Sequence, residues 1–399
     1  MKTLKRYIFC ITFMTLAYSQ TLDIETLESL VIKQNPHLLA LAKQIDIQQE
    51  KLVQSRKFSN PVLSFETGAD AETSGMISQK IQLGGKRKHK IKLSELEFKK
   101  SELEYQKLTQ EKLTVAFQSF VNILHLQELK SLQHDRISVV EELLKSVSKR
   151  VEAGKLSPAE QSRAKIQYFQ EQMKFNTINS KLERTWKSIS ALYGEEKSPF
   201  NFAKGVFKKI PMITRSHSLD NSLSFLLAEL SVEIQERNIK SEKAKVIPNL
   251  DVGAGIKRSE IPGNALQIGL SIPIPIFNRN QGNIKSAILA LDKKELELKA
   301  VESQLNSKLV QIIIELDLLY SETTTLKEEI IPEAQSAYTI ISDGYIYGRF
   351  TYLDVVDAQK MWFQSRSQYL MALKDFHQNI FELSRLTGNT NSANFMEKN

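Results

Sequence analysis

The chain is written twice, and that repeat confines it to folds assembled from two equivalent halves. A stretch from Asn60-Pro61-Val62-Leu63 to Leu192-Tyr193-Gly194 returns as Ile247-Pro248-Asn249-Leu250 to Leu386-Thr387-Gly388. Pro61, Leu63 and Gly68 stand 187 positions ahead of Pro248, Leu250 and Gly255, whereas Gly154, Ala164, Leu192 and Gly194 stand 194 ahead of Gly348, Ala358, Leu386 and Gly388. The second copy has therefore gained a few residues between its strands and its long helix. Solenoid repeats run roughly 20 to 50 residues, so this is a duplicated domain-sized unit.

Each copy has the pattern of helix, strand, strand, very long helix, turn and returning helix. In the first, Asp23 to Gln34 is a helix broken at Asn35-Pro36, and Pro36 to Phe58 continues helically until Asn60-Pro61. Leu63, Phe65 and Thr67 then alternate with Ser64 and Glu66, and Ile77, Ile81 and Leu83 with Ser78, Lys80 and Gln82. In the second copy the period of two is carried by Leu250, Val252, Ala254 and Ile256, then by Leu266, Ile268, Leu270, Ile272, Ile274 and Ile276. These are strands with one apolar and one polar face. Pro273 and Pro275 predict that the fourth ladder ends or bends there. A soluble sandwich strand is the alternative reading.

Long helices follow, from about Lys88 to Val151 and from about Gly282 to Asp343, the second holding only Pro332. At 1.5 Å per residue each would be roughly 90 Å long. Leu291, Leu298, Leu305, Ile312, Leu319 and Leu326 recur every seven residues, a coiled-coil seam. Val140, Leu144, Val147 and Val151 keep a 4-3-4 spacing in the first copy. Gly154 and Gly348 stop these helices, and Ser157-Pro158 and Thr351 start the returning ones.

Lys2, Lys5 and Arg6, the apolar run Tyr7 to Leu16, and Ala17-Tyr18-Ser19 predict an export signal over residues 1–19, with an uncleaved anchor as the alternative. The single cysteine, Cys10, lies in that segment, so the mature chain would hold no disulfide and no thiolate metal site. Removing the leader lowers the formal charge from +8 to +5, and basic residues interleave with Glu along helices, which argues against nucleic acid as a partner. The six histidines are scattered, and no phosphate loop or catalytic constellation occurs. The chain reads as neither an enzyme nor a cofactor-binding protein, and no metal site is expected. The domain reading is a signal peptide over 1–19, a first repeat over 20–194, a linker over 195–218, a second repeat over 219–388 and a polar tail over 389–399.

Four strands cannot close a barrel, so other chains must complete them. At this point the sequence resembles the TolC-type outer-membrane efflux family, over about Leu22 to Gly388. The resemblance rests on Asn60-Pro61-Val62-Leu63, Gln82-Leu83-Gly84-Gly85-Lys86-Arg87, Pro273 to Gly282, and Gly344 to Gln359, in order within the duplicated frame. The Gly-Gly-Lys-Arg and Phe-Asn-Arg-Asn-Gln-Gly turns look most like the heavy-metal branch of the CzcC and CusC kind.

That resemblance implies a mainly α fold: a long coiled-coil α-helical barrel plus a transmembrane β-barrel to which each protomer of a homotrimer gives four strands. It implies the outer membrane of a diderm bacterium, with a long periplasmic extension, a periplasmic adaptor protein and an inner-membrane RND-type transporter as partners, and lipid around the barrel. The expected role is a passive exit duct for heavy-metal cations. Ducts for organic compounds or type I protein secretion are the first alternative, and a periplasmic coiled-coil structural protein the second. Asp354, Asp357 and Tyr345 match the family's periplasmic gate. Gly154, Leu156 and Ser157, with Gly348, Phe350 and Thr351, match the tips that meet the adaptor, where Leu156 and Phe350 are expected to be exposed. The plainer alternatives are acidic residues complementing a helix start and simple helix-helix turns.

Overall fold

Asn35 is where the first helical layer is set. Its side chain caps one helix by accepting from His37 N and Leu38 N at 3.0 and 3.1 Å, and its Nδ2 donates to Leu192 O at 2.6 Å across the fold. The computed structural model describes residues 20–68, 72–210, 218–259 and 263–388. The expected signal peptide, the polar tail and residues 211–217 of the linker lie outside the described residues.

In chain order the elements are β1 (Gln20–Leu22), α1 (Ile24–Gln34), α2 (Pro36–Ser55), β2 (Val62–Thr67), β3 (Thr73–Ile81), α3 (Lys86–Glu152), α4 (Pro158–Leu192), β4 (Phe200–Ala203), α5 (Leu223–Ala244), β5 (Leu250–Ser259), β6 (Gly263–Ser271), α6 (Gln281–Thr325), α7 (Ile331–Ile346) and α8 (Tyr352–Thr387). With 67 residues, α3 is about 100 Å long. No helix among the described residues is long and apolar enough to cross a membrane.

The strands form a four-stranded antiparallel sheet in the order β2-β3-β5-β6. Its register lines up whole rows. Leu63, Ile77, Ala254 and Ile268 face one another across all four strands, as do Phe65, Gly75, Ile256 and Leu266. The opposite face carries Ser64, Met76, Gly255 and Gln267, then Glu66, Ser74 and Lys257. The apolar face is uncovered, with Phe65 at 72% and Leu266 at 77% exposure. Such a face is stable against hydrocarbon and costly against water. As the two prolines predict, β6 ends at Ser271; Ile272, Ile274 and Ile276 leave the ladder while remaining exposed.

Below the sheet the heptad seam is half-buried at Leu291, Leu298 and Leu305 and fully buried from Ile312 onward. Leu309, Ile312, Leu316 and Leu319 of α6 pack on Ala372, Phe376, Ile380 and Leu383 of α8. Pro332 does not end this rod. A π turn over Leu326–Ile330 precedes it, and the wider turn absorbs the proline's missing N–H before α7 continues.

The largest core lies midway along the rods, where Phe120, Ile123 and Leu124 of α3 meet Phe363, Leu373 and Phe381 of α8 and Leu22 and Leu27 of the N-terminal layer. Here β1, at the start of the first repeat, pairs in parallel with β4, which lies inside the region expected to be linker. Three- and four-residue strands show too little alternation to stand out in sequence. Gln127 fastens β4 through both amide groups of its carboxamide, accepting from Ala203 N at 2.9 Å and donating to Ala203 O at 3.0 Å.

Candidate functional site: the membrane-distal helix tips

The two hairpins, α3 with α4 and α7 with α8, turn by the same device. Gly154 and Gly348 take φ of 68° and 75°, a left-handed backbone that side chains resist. In each, the next residue closes a Schellman-type bond: Lys155 N donates to Arg150 O at 2.8 Å, and Arg349 N to Gly344 O at 2.9 Å. Ser157 Oγ then accepts from Ala159 N at 3.2 Å, and Thr351 forms a full capping box with Asp354. The internal repeat is thus kept down to individual hydrogen bonds.

The capping box accounts for Asp354. Its Oδ2 accepts from Thr351 N at 2.8 Å and from Thr351 Oγ1 at 2.7 Å, and these bonds hold the carboxyl below its ordinary range. Asp357 is exposed one turn further on. The two carboxylates therefore do different things within one chain, Asp354 bending back to start the helix and Asp357 standing free toward solvent.

Tyr345 is 4% exposed, in a cluster with Val147, Ala164, Tyr352 and Val355 that joins the two hairpins. Arg150 holds it there. Its guanidinium lies 4.3 Å from the Tyr345 ring centroid and donates to Tyr345 O at 3.0 Å and Ile346 O at 2.9 Å, satisfying the last carbonyls of α7. Burial raises the Tyr345 phenol above its ordinary range, with Arg150 pulling the other way. A second link runs from Tyr352 Oη to Gln167 Oε1 at 3.0 Å and from Gln167 Nε2 to Gln359 Oε1 at 3.1 Å.

One tip side chain differs from expectation. Leu156 is half-buried because it packs on the cluster around Tyr345. Phe350 is exposed as expected, at 37%, with one side of its ring against Gly344, where a Cβ would collide with it. The side chains that do stand out are Tyr347 at 79%, Ile346 and Leu353. Sequence reasoning missed Arg150, whose one signal was a basic residue in the last turn of α3.

Further up this hairpin Glu171, 2% exposed, is held by Arg136 Nη2 at 3.0 Å, Lys174 Nζ at 3.0 Å and Gln133 Nε2 at 2.8 Å. Burial lowers the Arg136 pKa while Glu171 opposes the shift. Among the described residues no group of His, Cys, Asp and Glu is placed to hold a metal ion.

A sequence profile described as outer membrane efflux protein matches residues 27–195 and 214–389, one segment in each repeat. The cobalt-zinc-cadmium resistance protein CzcC of Cupriavidus metallidurans is 30% identical over 376 residues, covering 92% of this chain and 90% of that protein. Among solved structures, CusC superimposes with a TM-score of 0.80 at 15% identity, over 92% of each chain. The outer membrane protein VceC of Vibrio cholerae gives 0.77 at 15% identity, over 92% of this chain and 96% of that one. At such identities the structural likeness speaks for the fold.

Proposed function

Since the chain belongs to the outer membrane efflux protein family, we propose that three copies form the exit duct of a tripartite pump expelling divalent heavy-metal cations. It is an outer-membrane protein whose helical part extends into the periplasm. The observation that carries the trimer is the four-stranded sheet with an uncovered apolar face and two unpaired edges, β2 and β6. Bare edges in a bilayer leave backbone groups unsatisfied, so the sheet must close with others of its kind. Edge β2 of one copy meets β6 of the next, antiparallel, and three copies give twelve strands in an even-numbered barrel.

The solute class follows from the relative named for cobalt, zinc and cadmium resistance. The duct acts passively: Ser64, Glu66, Ser74 and Gln267 line a wet lumen in which a cation keeps its water shell. Energy comes from an inner-membrane transporter, reached through a periplasmic adaptor that docks on the tips formed by Gly154, Leu156 and Ser157 and by Gly348, Phe350 and Thr351. Tyr347 and Leu353 supply the exposed apolar contact there. Asp357 from three copies rings the entrance, with Asp354 behind it and the Arg150–Tyr345 link fixing the angle between the hairpins.

Resistance of the deletion strain tests this reading. Loss of the gene should sensitise cells to cobalt, zinc and cadmium while leaving tolerance of organic dyes unchanged. The parent gene should restore resistance, and a Tyr347→Asp, Leu353→Asp form should not, although it reaches the membrane. Sensitisation to dyes alone would reassign the duct to organic compounds.

A further inference from the structure

The residues at the junction of sheet and rods divide cleanly by side. Strand alternation puts Ile77, Gln79 and Ile81 on the apolar face and Ser78 and Lys80 on the other, and Gln82 and Leu83 follow just past the end of β3. Gln82 lines a cleft with Lys86, Lys90, Leu93 and Glu97 of α3, so that helical stripe belongs to the lumen side. Lys88, Lys92 and Glu95 lie on the opposite stripe of α3, below the apolar face. Gln79, on the apolar face, donates its Nε2 to Ser59 O at 2.9 Å, which brings the chain next to Phe58 beside that face.

What gathers at this junction is mainly aromatic and basic, with Glu95 paired to Arg56 at 3.6 Å and Lys92 at 3.3 Å. Phe58 is 76% exposed, with the Arg87 guanidinium 4.0 Å from its ring centroid and Arg87 Nη2 donating to Arg56 O at 2.7 Å. At the other sheet edge the exposed run Ile272, Ile274 and Ile276 ends in Phe277, 90% exposed, and Arg279. Lys88 and Arg279 are exposed and have no ion-pair partner among the described residues. The first turns of α3 and α6 hold no acidic residue, so Lys88 in α3 and Arg279 just ahead of α6 each stand at a helix end where the macrodipole is already positive. Solvent gives such an arrangement no advantage. A plane of negative charge does.

We propose that this collar, Phe58, Arg87 and Lys88 on one edge and Phe277 and Arg279 on the other, binds anionic phospholipid headgroups of the periplasmic leaflet. The inference rests on the barrel reading above. The rods lie on the periplasmic side, so the leaflet met at this end of the strands is the phospholipid one. The rings sit at the boundary of the hydrocarbon, where barrels carry aromatic girdles, and the cations reach the phosphates one step below. The collar thereby fixes how deep the duct sits.

Lipid retention tests it. The full chain is reconstituted in vesicles of phosphatidylethanolamine with a minor share of phosphatidylglycerol, extracted gently, and its co-purifying lipids are counted by mass spectrometry. The parent should retain phosphatidylglycerol enriched roughly fivefold over the bulk, falling at high salt. Arg87→Gln, Lys88→Gln, Arg279→Gln should abolish the enrichment while still floating with vesicles; Lys90→Gln, on the lumen stripe, should keep it. Should the triple form fail to insert, Lys88→Gln alone must lower the parent's enrichment. An unenriched parent, enrichment indifferent to salt, or equal losses in Lys88→Gln and Lys90→Gln overturns the collar. A parent that does not float at all overturns the barrel instead.

Discussion

Asp354 and Asp357 show how far residue identity alone can be trusted at the tip. Both stand at a helix start, and both could complement the macrodipole or ring a gate. The structure separates them, since Asp354 is spent on Thr351 and Asp357 is exposed. Thr351→Ala should therefore cost about 1 kcal/mol at the start of α8, measured as faster amide exchange over its first turn. Because its folded-state pKa is lowered, Asp354 contributes fully above its unfolded value and loses that contribution as pH falls through the lowered one. Asp357→Asn leaves the cap intact and removes three charges per trimer. Planar-bilayer recordings should show weaker cation preference and less block by multivalent cations; unchanged conductance and block would leave Asp357 without a gating role. The capping box was legible in the spacing of Thr351 and Asp354. The Arg150 link was not, because its partners, Tyr345 and Ile346, lie 195 and 196 positions away and are backbone carbonyls.

At the scale of elements, periodicity foretold what has a period. The heptad positions of α6 mark a seam that is buried from Ile312 onward and half-buried before it, and the alternating isoleucines mark one sheet face. Short or irregular pieces escaped: β1 and β4, the π turn before Pro332, and the half-burial of Leu156. Pairs across a hairpin were hidden only by distance along the chain, for Arg136 and Glu171 lie 18 before and 17 after Gly154. The histidines scattered in sequence also converge, with His125 and His377 on either side of Phe207. His125 Nδ1 lies 3.1 Å from Leu370 O, and burial, helped by Lys374 and Lys181, lowers its pKa to about 4 against the Leu370 carbonyl and Asp375.

A histidine whose pKa is lower folded than unfolded stabilises the fold above the unfolded value and loses that stability as pH falls from 6.5 toward about 4. The full loss is on the order of 3 kcal/mol. His125→Asn keeps a donor for Leu370 and does not titrate, so its melting temperature should fall less than the parent's between pH 7 and pH 4.5. Equal falls would show that this histidine does not set the acid sensitivity of the mid-rod core.

At the scale of the whole molecule, one chain leaves a large apolar surface uncovered. Its sheet has an apolar face without a neighbour and two edges without partners, while its rods already hold a core of Phe120, Phe376 and Phe381. Duplication explains the division of labour: each repeat supplies one strand hairpin and one helical hairpin, and neither can enclose a lumen. The strand count already raised the expectation of other chains, whereas the proposed collar came into view only when strand parity and helix stripes were placed on one body. The central claim is that three such chains close a single membrane barrel. Its most direct measurement is the protein mass of the purified particle in mild detergent, by light scattering coupled to gel filtration. Three chains per particle is the predicted result, and a folded particle of one chain would contradict the account.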